Sequence, residues 1–333
     1  MPKARCEQVS LDDTAYYHCV SRCVRHAFLC GVDQTTGKSF EHRRGWVEQR
    51  LLALAEVFAI DICAYAVMSN HTHVVLHINR DQALSWDTRQ VLERWHTLHK
   101  GTLLTSRFLD EESLDEASLR SVMETAEVYR NRLHDVSWFM RDLNETIARQ
   151  ANKEDGCTGR FWEGRFKSQA LLDDAALLAC MAYVDLNPIR ANIAKTPENS
   201  DFTSVKKRTD KLKHSRGKPN SPVQPECLYP FVGNESEHTP EGLNFSLKDY
   251  LLLIDMSGRV IREDKPGAIL PDCPPILSRL GIDEAFWTVL VTSLEENFSG
   301  PIGTEGALRS FQHNHGLQRM QGISAAKRCF KCA

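Results

Sequence analysis

The segment from residue 60 to residue 78 constrains the fold more than any other part of the sequence. Residues 60–68 and 72–78 are rich in β-branched and apolar side chains, which is typical of strands. Ser69 and Asn70 lie between them and form a typical turn pair. Because so short a connection joins antiparallel neighbours, we expect these residues to form a β-hairpin.

The second of these strands carries two histidines, His71 and His73, on one face. Side chains two apart on a strand share a face, so both imidazoles can reach one divalent metal ion. The opposite face is apolar, and we expect helices to cover it; it consists of Thr72, Val74, Leu76 and Ile78. The histidines are therefore predicted on the open face of the sheet. Two exposed histidines without a metal remain the alternative, and His77 is either a substrate contact or without a role.

The order of the other elements indicates the fold class. Residues 15–24 and 160–171 read as strands, and residues 40–58, 82–98, 136–151 and 174–187 read as helices. Together with the hairpin, this order predicts an α+β fold, with a ferredoxin-like antiparallel sheet and helices on one face.

The composition changes along the chain and predicts three regions. Residues 1–195 form the first domain, with an acidic helical insertion at about 100–132. Residues 196–230 are basic and rich in Pro, Ser and Lys, which predicts a linker. Residues 231–333 hold short apolar patches and read as a mostly helical C-terminal extension of unknown function.

Charge and cysteine content narrow the class of protein. The net charge of −3 argues mildly against a nucleic-acid partner, although charge can be local. No stretch approaches the roughly 20 apolar residues of a membrane helix, and the start of the sequence has no apolar leader, so we expect a cytoplasmic protein. The eleven scattered cysteines predict free thiols, including Cys19, Cys23 and Cys30. Whether Cys329 and Cys332 bind zinc stays open.

A second candidate element lies at the end of the helix predicted over residues 174–187. Tyr183 and Asn187 are four residues apart, so they share a helix face. The tyrosine can offer its hydroxyl to a site, and an asparagine carbonyl can bind Mg²⁺ or Mn²⁺. The alternative is a half-buried tyrosine and an asparagine that ends the helix before Pro188.

A third element interleaves aromatic and cationic residues. Phe161, Trp162 and Phe166 alternate with three cations, Arg160, Arg165 and Lys167. Aromatic faces stack on bases while cations bind phosphates, which is how proteins hold single-stranded nucleic acid. The alternative is an edge strand with one solvated side.

Together, these three motifs resemble single-tyrosine HUH transposases, specifically the REP-associated, insertion-sequence-like branch. Residues 68–77 (MSNHTHVVLH) are similar to the metal-site strand of that family, residues 161–166 (FWEGRF) to its F-W-x-x-R-aromatic motif, and residues 183–191 (YVDLNPIRA) to its Y-I-x-x-N-P-V-R-A motif. The resemblance covers roughly residues 14–195.

The resemblance implies that His71 and His73, with Asn187 as a third ligand, bind Mg²⁺ or Mn²⁺. Tyr183 would be the catalytic nucleophile in DNA transposition, forming a 5′-phosphotyrosine on single-stranded DNA that carries a DNA hairpin. The predicted DNA contacts are Arg160, Trp162, Arg165, Lys167 and Arg190, and the expected assembly is a homodimer. Two alternatives remain: an HUH relaxase or replication initiator, and a DNA-hairpin-binding protein that does not use its catalytic residues.

Overall fold

The fold is α+β, as predicted. The computed structural model describes residues 9–24, 29–33, 37–215, 224–233, 241–262 and 275–330. In chain order, the first elements are β1 (Tyr16–Arg22), α1 (Arg43–Val57), β2 (Ile60–Val67), β3 (His71–Ile78), α2 (Arg80–Ser85), α3 (Thr88–Leu98), α4 (Leu103–Leu109), α5 (Glu116–Leu133) and α6 (Val136–Glu154). They are followed by β4 (Lys167–Ala170), α7 (Asp174–Asp185), α8 (Asn187–Arg190), α9 (Ser204–Ser215), α10 (Leu247–Arg262), α11 (Pro275–Arg279), α12 (Glu284–Asn297), α13 (Glu305–Asn314) and α14 (Ile323–Cys329). The mostly helical C-terminal extension is confirmed.

The sheet is antiparallel and has the strand order β2-β3-β1-β4, which is the ferredoxin-like order. β1 pairs with β3 on one side and with β4 on the other. Met68 closes the predicted turn between β2 and β3 by donating its N–H to the carbonyl of His71 at 2.9 Å. The predicted β-hairpin is therefore confirmed.

Two elements differ most from their predicted bounds. The strand predicted over residues 160–171 is reduced to β4, because the chain turns at Gly164 and only an isolated bridge joins Trp162 to Cys23. The helix predicted over residues 82–98 is divided into α2 and α3. Asp87 accounts for the division, because its side chain caps α3 by accepting from the N–H of Gln90.

The chain forms two compact units. One comprises residues 46–61 and 78–158, and contains most of α1 and all of α2 to α6. Inside it, the ring of Trp95 stacks on Tyr129 at 4.4 Å and on His99 at 4.2 Å. The other unit comprises residues 1–45, 62–77 and 159–333, and holds the candidate functional residues. The domain boundaries predicted at residues 195 and 230 stay predictions, although residues 196–230 include the helix α9.

Three further findings bear on the predictions for the whole chain. Among the described residues, no helix has both the length and the apolar character needed to cross a membrane. Cys19, Cys23 and Cys30 are buried thiols that form no disulfide within the described residues, as predicted. Cys329 is a buried free thiol too, whereas Cys332 lies outside the described residues, so the question of zinc stays open.

A buried polar network joins α7 to α9 and α10. The carboxylate of Asp185 is fully buried and accepts hydrogen bonds from Ser204 Oγ (2.5 Å), Tyr250 Oη (2.6 Å) and the N–H of Val205 (3.0 Å). Burial raises the pKa of Asp185. Arg208, also fully buried, lies close enough to oppose that rise. Because the buried donors of α9 and α10 share the Asp185 carboxylate as their acceptor, the network stabilises the packing of these two helices against α7.

We expect Asp185→Ala to lower the free energy of unfolding by about 3 kcal/mol or more, since it leaves three buried donors without an acceptor. Asp255→Ala is the control, because Asp255 pairs with Arg259 in an ion pair on the surface of α10. That change should cost less than about 1 kcal/mol. Urea unfolding of both variants measures the difference, and equal stabilities would show that the Asp185 network is not stabilising.

Candidate metal and tyrosine site

The site begins with the pairing of β1 and β3. In this register Val20 lies opposite His73, so His18 and His73 are diagonal neighbours on one face of the sheet. Nε2 of His18 is hydrogen-bonded to Nδ1 of His73 at 2.9 Å. His18 is 0% exposed and His73 is 2% exposed. The prediction of an open face was therefore wrong for His73, whereas His71 is partly exposed.

The histidine face is buried because helices of the same unit cover it. Tyr183 of α7 lies over the two rings, with its centroid 5.8 Å from that of His73 and 6.4 Å from that of His18, in both cases edge-on. Glu295 of α12 approaches from the C-terminal region, with Oε1 3.6 Å from Nδ1 of His73. The C-terminal extension thus contributes a side chain to this face.

Tyr183 and Asn187, predicted on one helix face, are both buried, at 6% and 4% exposure. α7 ends at Asp185, and Asn187 begins the next short helix, α8. Its side-chain nitrogen is buried and makes no hydrogen bond to any residue that the structure describes. The structure therefore brings Tyr183 to the histidines, while the role of Asn187 as a third ligand stays a prediction.

Three side chains are arranged to hold a metal ion: His18, His73 and Glu295. Their ligand atoms all lie within 4.8 Å of one another. Glu295 Oε1 is buried and makes no hydrogen bond within the described residues, so a cation at this point would satisfy it. Two imidazoles and a carboxylate form a donor set that suits divalent transition metals.

Gln169 of β4 orients His18. The side-chain nitrogen of Gln169 donates to the carbonyls of Phe298 (2.6 Å) and Gly300 (3.1 Å). Its oxygen then faces Nδ1 of His18 at 3.2 Å, so Nδ1 carries the proton of that ring. With that proton on Nδ1, the lone pair of His18 Nε2 accepts the hydrogen bond from Nδ1 of His73, and the same lone pair would bind a metal ion in place of that hydrogen bond.

His71 lies beside this group and also presents a ligand nitrogen. Its ring centroid is 4.8 Å from that of His73. Its Nδ1 is hydrogen-bonded to the side-chain oxygen of Asn70 at 2.6 Å, which leaves Nε2 with a lone pair. His71 can therefore act as a metal ligand, as the resemblance implies. His73 belongs both to the set implied by the resemblance and to the set formed with His18 and Glu295.

The electrostatics keep these histidines neutral. Burial, with the nearby Arg22 and Arg190, lowers the pKa of His71 to about 4. Burial lowers the pKa of His73 well below its ordinary value, and it also lowers the pKa of His18. Neutral imidazoles are the form that binds metals, so all three are available as ligands near pH 7.

Arg190 lies against the candidate nucleophile. Its guanidinium carbon is 4.0 Å from the ring centroid of Tyr183, and its Nη1 donates to the carbonyl of Val291 in α12 at 3.1 Å. Burial raises the pKa of Tyr183, and the charge of Arg190 opposes that rise. Arg190 was predicted as a DNA contact, and its position also suits it to stabilise the tyrosine's ionised form.

The other predicted DNA contacts lie in the segment before β4 and at the first residue of that strand. Arg160, Arg165 and Lys167 are exposed and line a cleft that also reaches His18 and Glu295. Trp162 is half-buried and packs edge-on against Phe161 at 5.0 Å, away from the lining of this cleft.

His77 lies on the same face of β3 as His73, four positions further along the strand, and packs against other rings. Its ring stacks on that of Tyr229, with centroids 4.5 Å apart, and tilts against that of Tyr16 at 4.9 Å. These contacts give His77 a packing role in the sheet.

The depressed pKa of His71 leads to a prediction for metal-free protein. The unfolded chain binds a proton on His71 near pH 6.5, whereas the folded chain does so only near pH 4, so unfolding takes up a proton between these values. The contribution of His71 to the free energy of unfolding is therefore fully present above pH 6.5. As the pH falls from 6.5 to 4, the free energy of unfolding decreases by up to about 3 kcal/mol.

We expect urea unfolding in EDTA, repeated at several pH values, to show this loss. In His71→Gln, the free energy of unfolding should depend less on pH. His214→Gln, at an exposed histidine of α9, is the control and should keep the wild-type slope. An unchanged slope in His71→Gln would contradict the assignment.

Together, the fold and the site define an α+β protein with a tyrosine and a carboxylate packed over buried histidines of an antiparallel sheet. No protein-family model matches the chain, and no curated protein matches it. Among solved structures, the chain is similar to a REP-associated tyrosine transposase bound to a REP hairpin. The TM-score is 0.35 and the identity is 12%, over 67% of this chain and 90% of that one.

Proposed function

We propose that this protein is a metal-dependent transposase that cuts and rejoins single-stranded DNA, with Tyr183 as its nucleophile. The observation that carries the proposal is the position of the Tyr183 ring, 5.8 Å from that of His73, in a group of side chains able to hold a metal ion. The resemblance of residues 68–77, 161–166 and 183–191 to single-tyrosine HUH transposases supports it from the sequence.

Tyr183 has to lose its proton to become an effective nucleophile. A phenol has a pKa near 10, and burial raises the pKa of Tyr183 further. Arg190, 4.0 Å from the ring centroid, stabilises the phenolate electrostatically. Its anchor on the carbonyl of Val291 holds the guanidinium in place for this role.

In the proposed reaction, Tyr183 Oη forms a bond to the phosphorus of a DNA phosphodiester while the bond from phosphorus to the 3′-oxygen breaks. The phenol proton passes to solvent, and the leaving strand takes up a proton as its 3′-hydroxyl. The 5′-phosphate stays on the tyrosine as an ester of comparable energy. A DNA 3′-hydroxyl can therefore reverse the step without ATP, so cleavage and joining are one reaction in two directions.

A divalent metal bound here would polarise the scissile phosphate and stabilise its developing charge. His73 would be a ligand in either arrangement: with His71 and Asn187, as the resemblance implies, or with His18 and Glu295, as the distances favour. Imidazole ligands suit Mn²⁺ better than Mg²⁺, which prefers oxygen donors, so Mn²⁺ is the better of the two predicted ions.

The partner proposed is single-stranded DNA that carries a DNA hairpin, and the assembly is a homodimer. Exposed cations at Arg160, Arg165 and Lys167 suit a strand that runs toward the histidines. The overall charge of −3 does not oppose this, because these cations are concentrated in one cleft.

The test is to incubate labelled, hairpin-bearing single-stranded DNA with the protein and Mn²⁺, and then to separate the products on a denaturing gel. We expect a slow-migrating covalent adduct that EDTA prevents. Fully duplex DNA of the same sequence is the substrate control and should give none. Tight binding without an adduct, across several metals and hairpins, would instead favour the DNA-hairpin-binding alternative.

A further inference from the structure

A cleft of about 1230 Å³ runs from the surface to the candidate site, in the unit that holds the sheet. One wall is β4 with the segment before it, which contains the predicted DNA contacts. The other wall comes from the C-terminal region and includes residues 298–301, 317 and 319–321. At its inner end the cleft reaches His18 and Glu295.

Hydrogen bonds attach the C-terminal wall to the sheet. Ile302 donates its N–H to the carbonyl of Ala170 (2.8 Å), and Leu172 donates to the carbonyl of Ile302 (2.9 Å). The N–H of Thr304 donates to the Asp173 carboxylate at 2.7 Å, beside the start of α7. Because these bonds lie next to β4, the two walls form one pre-organised cleft.

The charge of the cleft suits a polyanion. Arg160, Arg165 and Lys167 on the first wall, and Arg319 on the second, are all exposed. Within the described part of the chain, none of these four cations has an ion-pair partner. The carboxylate lining the cleft is that of Glu295, at the inner end, where a metal ion would neutralise it.

The cleft also offers apolar surface between its cations. Phe166 on the first wall, and Leu317 and Met320 on the second, are partly exposed along its lining. Bases of a single strand have apolar faces that pack on such side chains, whereas the bases of a duplex are already stacked and paired. The combination therefore favours a single strand over a double helix.

We propose that the C-terminal region is one wall of the single-strand binding cleft, and that Arg319 binds a DNA phosphate there. This gives a role to the region for which the sequence indicated none. The inference rests on the proposed function for the identity of its ligand, but it concerns binding, which can be measured without cleavage.

The test is fluorescence anisotropy with a labelled thymidine oligonucleotide, using full-length protein in EDTA. Arg319→Ala should weaken binding several-fold. It should also reduce the slope of the logarithm of the affinity against the logarithm of the salt concentration by about 0.7, the value for one phosphate contact to a single strand. Arg165→Ala, on the opposite wall, should have a similar effect.

The matched control is Arg328→Ala, an exposed arginine of α14 that does not line the cleft. It should bind as wild type does, and thermal unfolding of all three variants checks that they are folded. If Arg319→Ala binds like Arg328→Ala, or if wild type prefers duplex DNA, the inference is wrong.

The inference and the proposed function can fail separately. If Arg319→Ala weakens binding but wild-type protein forms no adduct, the proposed binding cleft stands and the proposed transposase activity is wrong. The opposite result is an adduct that depends on Tyr183 but forms equally well with Arg319→Ala at DNA concentrations below saturation. The proposed transposase activity would then stand and the proposed binding cleft would be wrong.

Discussion

Tyr183→Phe should eliminate the covalent DNA–protein adduct while leaving the affinity for single-stranded DNA nearly unchanged. The substitution removes one oxygen and keeps the ring that packs against His18 and His73. Because removal of an enzyme's nucleophile costs factors on the order of 10⁴ or more, the rate of adduct formation should fall to the background of the denaturing gel.

The matched control is Tyr16→Phe. Tyr16 lies on β1 of the same sheet, but its ring contacts His77, with centroids 4.9 Å apart, rather than the candidate metal ligands. This variant should form the adduct at the wild-type rate. If Tyr183→Phe formed the adduct as fast as Tyr16→Phe, another residue would be the nucleophile.

The second large effect concerns the metal. His73→Ala should reduce the affinity of the protein for Mn²⁺ by a factor of about 100 or more, because even outer-shell partners of metal ligands contribute 10- to 100-fold. The Nδ1 atom of His73 lies 2.9 Å from Nε2 of His18 and 3.6 Å from Oε1 of Glu295, so it is central to the group. Calorimetric titration with Mn²⁺ in the absence of DNA measures this directly.

Two further variants decide which side chains complete the site. The distances predict that Glu295→Gln weakens Mn²⁺ binding at least about tenfold, since it removes the charge of the carboxylate. Glu296→Gln, at the exposed neighbouring position on α12, is the control and should bind as wild type does. If Asn187→Ala lost the metal while Glu295→Gln kept it, the ligand set implied by the resemblance would be correct and the one favoured by the distances wrong.

The sequence predicted the features that depend on local contacts. The β2–β3 hairpin follows from two apolar runs around Ser69 and Asn70, and the shared face of His71 and His73 follows from strand geometry. The ferredoxin-like order follows from the succession of elements.

The sequence could not predict the features that depend on distant pairings. His18 joins His73 only through the register of β1 on β3, which no local pattern specifies. Glu295 reaches the same point from 222 positions further along the chain than His73, in a region whose apolar patches indicated only helices. A histidine within the alternating pattern of β1 was the one available signal for His18.

The burial of the site has the same origin. The sequence suggested one helix layer and an open face, because the C-terminal region gave no sign of packing on the sheet. In the structure, Glu295 of α12 lies beside His73, and Arg190 is anchored on the α12 carbonyl of Val291. The C-terminal region is therefore part of the candidate site.

The most direct test of the central claim is to identify the residue that becomes joined to DNA. The adduct formed with Mn²⁺ would be digested with nuclease and trypsin, and the peptides analysed by mass spectrometry. We predict a 5′-linked nucleotide on Tyr183, in the tryptic peptide of residues 168–190, which ends at Arg190. A nucleotide on a different residue, or cleavage of DNA with no nucleotide on the protein, would contradict the account.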